Sequence, residues 1–168
     1  MLAAPAPPNA EVDAASYFGA AKFTPQVDAD RIAGGRHHAR QVPRAALPGE
    51  FDRAWRATDA AVAAALPERV VRTRHGDAMR LTEFLRTRVV EVGVHGLDLA
   101  AALDRAPWLT PQAATVIVDL LTGGRPAPAG LRWDPPTLIR KTTGRVPLTP
   151  AEHAEIDAAG FRWLSFGR

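Results

Sequence analysis

Arg88, Glu91, His95 and Asp98 are spaced by three, four and three residues. At 3.6 residues per helical turn this spacing puts all four on one stripe. Glu-x-x-x-His sets a carboxylate oxygen and an imidazole nitrogen one turn apart on the same side, which suits two ligands of a divalent metal. Arg88 and Asp98 stand one turn further out at either end, where they suit support of the ligands or contact with a substrate. Val89, Val90, Val92, Val94 and Leu97 surround the four in sequence. The stripe is therefore expected on a largely buried helix, flanked by apolar residues. A buried polar group without a partner costs about 1–3 kcal/mol, and an uncompensated charge costs more. Something should then face Glu91 and His95. The same spacing also describes an i, i+4 ion pair on a solvated face, and spacing alone does not decide between the two.

The other histidines do not select a third ligand. His37 and His38 lie in an arginine-rich stretch with Arg36, Arg40 and Arg44, which reads as a solvated face. His75 lies in the turn-like His75-Gly76-Asp77, and His153 falls in the first turns of the last predicted helix. Both are expected to face solvent.

The element that must position the stripe is a helix over about 80–104, with Leu81, Phe84, Leu85, Val89, Val92, Leu99 and Leu103 as its apolar positions. Before it, residues 1–10 read as a proline-rich loop, and 11–22 as a short helix carrying Tyr17 and Phe18. Thr24-Pro25 opens a helix toward 45 that is weakened at Gly34-Gly35 and interrupted by Pro43. Pro48 opens another over 48–66, with Phe51, Trp55, Val62 and Leu66 at helical spacing. Residues 68–79 read as irregular. After the central helix, Thr110-Pro111 caps a helix over 111–122 that Gly123-Gly124 ends. Short helices follow near 135–142 and 150–159, the second started by the capping box Thr149-Pro150-Ala151-Glu152. Phe161, Trp163, Leu164 and Phe166 read as a terminal apolar anchor. The organisation expected is a main domain over 1–124 and a tail over 125–168 packing on it.

With 168 residues, 46% of them apolar and 23% charged, the chain has room for one globular domain. Alanine is abundant and runs of strand-forming residues are scarce, so the fold class expected is all-α. There are no cysteines, which excludes disulfides and any protein thiolate. Thiol chemistry would need a thiol cofactor. The net charge is +3, and only Lys22 and Lys141 of the 21 basic residues are lysine. The arginines are spread along the chain without aromatic interleaving, which argues against nucleic-acid binding. No apolar run approaches the roughly 18 residues of a membrane span, and the first residues lack a signal-peptide pattern. A cytoplasmic location is expected.

The run LTEFLRTRVVEVGVHGLDLAAAL, Leu81 to Leu103, resembles the metal-site helix of the mycothiol-dependent maleylpyruvate isomerase family, which is common in actinobacteria. GLRWDPPTLIRKTTGRVPLTPAE, Gly130 to Glu152, is similar to the C-terminal segment of its short members. The resemblance implies a DinB-like helical bundle. It implies a divalent metal, usually zinc, held by a His on an early helix and by the Glu and His that match Glu91 and His95. Asp98 would support those ligands, and Arg88 would contact an acidic group of substrate or cofactor. It also implies mycothiol as a small-molecule thiol whose thiolate adds to the double bond of maleylpyruvate. Rotation about the resulting single bond and elimination then give fumarylpyruvate. Against the family pattern this chain reads as a bundle lacking its first helix or two, and with them the first His ligand. A groove left by those helices would favour a homodimer. The readings carried forward are a metal-dependent, mycothiol-using isomerase or thiol transferase, and a non-catalytic, truncated family member that acts as a helical association domain.

Overall fold

The fold is described from a computed structural model covering residues 4–19 and 24–164. In chain order its elements are α1 (Ala14–Tyr17), α2 (Pro25–Gln41), α3 (Leu47–Ala63), β1 (Val70–Arg72), β2 (Ala78–Arg80), α4 (Leu81–Ala102), α5 (Pro111–Thr122), α6 (Pro135–Thr142) and α7 (Pro150–Ala158). Short 3-10 turns lie at Arg44–Ala46 and Ala129–Leu131. The fold is an all-α helical bundle, as expected, with one small β ribbon.

Local chemistry sets most helix starts. Thr24, Thr110, Asp134 and Thr149 each accept the backbone N–H three residues on, and each is followed by Pro. A side-chain oxygen at this position satisfies one of the orphan amides of a helix start, and Pro in the first turn needs no donor. Thr149 and Glu152 form the full reciprocal box. At the other end of α5, Gly123 takes φ 61°, a left-handed value that glycine adopts without a Cβ clash. Gly124 N–H then donates to Asp119 O at 2.9 Å.

Two expectations are corrected. Residues 68–79 are not irregular. They form an antiparallel ribbon in which Val70 faces Arg80 and Val71 faces Met79. The β-branched pair Val70-Val71 favours the extended backbone, and Gly76 at φ 93° lets the chain reverse. Val12 adds a parallel bridge to Met79, and Glu11 N–H donates to Ala78 O at 2.7 Å. The helix expected over 11–22 is only the single turn Ala14–Tyr17, because Glu11 and Val12 are drawn into the ribbon and Asp13 caps the turn behind them. Residues 20–22 of that expectation, and Phe166 of the terminal anchor, lie outside the described residues.

The main core gathers Tyr17 and Phe18 at α1, Val71 and Met79 of the ribbon, and the inner faces of α4, α5 and α6. The centre of α4 can approach α5 closely because it carries glycine: a Cβ at Gly93 would lie 2.5 Å from Ile117 Cδ1 and 3.2 Å from Leu109 Cδ1. The chain after residue 124 joins this core through Leu138, Ile139 and Trp133. A smaller cluster of Leu131, Ile156 and Phe161 seats α7. Phe161 is buried, and Leu164 N–H donates to Leu121 O at 2.7 Å, which fixes the end of the described chain against α5.

Candidate functional site

The inner face of α4 is the stripe Thr87, Val90, Val94, Leu97 and Ala100, all buried. Glu91 and His95 each follow a member of that stripe by one residue, or about 100° around the helix. They therefore sit at its solvent edge. The Glu91 side chain is 33% exposed and that of His95 is 62% exposed. This corrects the expected inward placement. Clusters of Val and Leu on all sides of the pair in sequence do not bury it, because Val92, Leu99 and Leu103 are themselves exposed.

The stripe of polar residues nevertheless converges. Glu91 Oε2 and His95 Nε2 are 3.4 Å apart. On the other side of the ring, His95 Nδ1 is 3.2 Å from Asp98 Oδ2. Asp98 is in turn held by Arg145, whose Nε and Nη2 donate to its two carboxylate oxygens at 2.6 and 2.7 Å. The Arg145 guanidinium, and less strongly the His95 ring, hold the Asp98 carboxyl below its ordinary value against the opposing effect of burial. Arg145 was not picked out from sequence. Its available signal was Gly144, at φ 72°, which ends the α6 segment and turns the next residue back across α4.

This order of groups has chemical content. With Nδ1–H directed to the Asp98 carboxylate, Nε2 presents its lone pair toward the Glu91 carboxylate. A neutral Nε2–H tautomer would instead donate toward Glu91, and a cation would be accommodated equally between the two atoms. Ligands about 2.0–2.1 Å from a tetrahedral zinc are about 3.3–3.4 Å from each other. The Glu91–His95 separation fits that edge, and a carboxylate on the far ring nitrogen is the usual way a metal-binding His is oriented. The donor set therefore fits one half of a zinc site. Among the described residues, no group of three or more Asp, Glu, His or Cys side chains is placed to hold a metal. His37 pairs with Gln41 at 2.9 Å, His38 lies 3.9 Å from Glu50, and the His75 ring in the ribbon turn lies 5.7 Å from that of Tyr17, tilted by 60°.

Arg88 lies apart from the pair. Its guanidinium is over the rings of Phe84, at 5.0 Å, and Tyr17, at 5.6 Å, and its Nε donates to Thr87 Oγ1 at 3.1 Å. Aromatic faces hold the cation in place while leaving N–H groups for an anion. No ion pair joins Arg88 to Glu91 among the described residues. A cavity of about 280 Å³ lies nearer the start of α4, lined by Asp13, Glu83, Arg86 and Asp119 among others. Its charges are already matched, since Arg86 bonds both Glu83 and Asp119, and Glu83 caps Ala14 N–H.

The molecule is a helical bundle whose longest described helix, α4, carries a convergent carboxylate–imidazole–carboxylate row on its solvent edge. Residues 1–100 match the mycothiol maleylpyruvate isomerase N-terminal domain family, and the chain belongs to it. No curated protein and no solved structure matches the chain. Among the described residues, no helix is long and apolar enough to cross a membrane.

Proposed function

We propose that this chain supplies the metal-holding helix of a mycothiol-using isomerase or thiol transferase of the maleylpyruvate isomerase type. In this reading Glu91 Oε2 and His95 Nε2 are ligands of a divalent metal, zinc by preference. Asp98, fixed by Arg145, orients the imidazole. Arg88, displayed on Tyr17 and Phe84, contacts an acidic group of the thiol cofactor or the substrate. A zinc ion held there would supply Lewis acidity that favours the thiolate form of an external thiol. The remaining ligands would come from outside the described residues, and the cytoplasmic setting expected from sequence belongs to the same reading.

The observation that carries the reading is the 3.4 Å approach of Glu91 Oε2 to His95 Nε2, with Asp98 behind the ring. The test is zinc titration of the chain by calorimetry beside His95→Ala and Glu91→Gln, followed by a mycothiol-dependent assay of maleylpyruvate conversion. Zinc binding that both substitutions abolish is expected. If the wild type and both variants bind equally little zinc, the pair is a solvated ion pair worth under about 1 kcal/mol. The second reading, a non-catalytic association domain, is favoured by the apolar surface left open on α3 and α4.

A further inference from the structure

Apart from Val27 and Ile32 on α2, the large apolar side chains that remain exposed are concentrated in two places. Leu47, Phe51 and Trp55 follow one another at four-residue intervals along one face of α3, with Leu66 just past its end. Val92, Leu99 and Leu103 form a stripe along α4. Gly96 lies between Val92 and Leu99, and a Cβ there would be 3.4 Å from Trp108 Nε1, so Trp108 extends the same face. These eight side chains are between 45% and 67% exposed.

α3 is strongly amphipathic by sequence yet has no buried residue. Its principal contact is with the 3-10 turn that precedes it, and the chain meets the main core at Ala65, just past the end of the helix. A helix of this length is marginal in water unless its apolar face is covered. The open stripe of α4 is the matching surface, and the two faces occur once each in every chain. Two copies related by a two-fold axis can therefore satisfy both, each giving its α3 to the α4 of the other. Eight such side chains, at on the order of 100 Å² each, offer about 800 Å² per copy, which is the per-partner area of a stable interface of standard size.

We propose that the chain forms a two-fold dimer in which α3 of each copy lies along the Val92–Leu99–Leu103 face of α4 in its partner. The exchange borders Glu91 and His95 but does not depend on their holding a metal.

Sedimentation velocity of the full chain across a concentration series tests this, with circular dichroism to show that variants remain folded. Phe51→Glu and Leu99→Glu alter solvent-facing residues, so each is expected to stay helical while its dimer constant weakens by about tenfold or more. Mixing the two variants restores one sound α3–α4 contact, so the mixture is expected to dimerise more tightly than either variant alone. The absence of cysteine allows a second measurement. In Phe51→Cys with Leu99→Cys, a short bis-maleimide is expected to give a covalent dimer of twice the 18.0 kDa chain mass. A wild type that is monomeric at every concentration, or a linkage formed within one chain, would overturn the proposal. So would a dimer that both charged variants leave unchanged.

Discussion

Arg145 grips Asp98 through both carboxylate oxygens, across 47 residues of sequence, and so ties the tail to the polar edge of α4. The paired geometry is what a guanidinium fork makes with a carboxylate, and a lysine would not reproduce it. The His95 ring depends on this grip, because Asp98 is its Nδ1 partner.

Arg145→Gln is therefore expected to let the Asp98 carboxyl rise toward its ordinary value of 3.8, since the guanidinium is the main cause of its lowering. Carboxyl carbon chemical shifts followed against pH read this directly. If zinc binds as proposed, the same substitution should weaken it by about 10–100-fold without removing a ligand. An Asp98 titration identical in wild type and variant would sink the account.

Gly93 is where α4 admits α5. Gly93→Ala puts a methyl group against the fully buried Ile117 and close to Leu109. Overpacking costs about 1–3 kcal/mol, offset in part by a helix-propensity gain near 1 kcal/mol. A net loss of about 1–2 kcal/mol is expected in urea unfolding monitored on α4 and α5. A stabilised variant would mean that the two helices separate freely.

Glu152 carries the clearest pH dependence. Its carboxylate takes a bond from Lys141 Nζ at 2.7 Å, from Thr149 N–H at 2.8 Å and from Trp133 Nε1 at 2.7 Å. These donors, Lys141 first, lower it to about 2 from an ordinary 4.5. A carboxyl lowered on folding contributes stability that is fully present above 4.5 and lost as the pH falls toward 2. Thermal melts between these limits should show a steeper acid decline for the wild type than for Glu152→Gln. Equal slopes would show that Lys141 and the capping box leave the carboxyl unshifted.

What the sequence disclosed follows the range of the forces involved. The bounds of α5 were readable because Thr110-Pro111 and Gly123 set them through neighbours only a few positions away, and the short helix expected near 135–142 is α6. Family membership was readable because Leu81–Leu103 keeps a distinctive order of residues on one helix. The ribbon was not, since Val12 meets Met79 only after the intervening chain has folded back. The side of α4 that faces the core was also misread. Valines at positions 89, 90, 92 and 94 lie all round the helix, so their order could not say which of them α5 would cover. Arg145 was missed because its one local signal, Gly144, marks a turn but not which helix the next side chain reaches.

The bridge between Val12 and Met79 has a further consequence for how the protein can vary. It brings together the chain's entry into α1 and its exit from the ribbon, so α2 and α3 form an excursion with both ends stapled at one point. Closing a long loop costs little more than closing a short one, and here the closure is made by the ribbon rather than by the excursion itself. Length, charge and partner preference in α2 and α3 can therefore drift without asking anything of the packing between α4, α5 and α6. The excursion is thus a side branch carried on the ribbon, while the main core is built from the ribbon, α1, α4, α5 and α6.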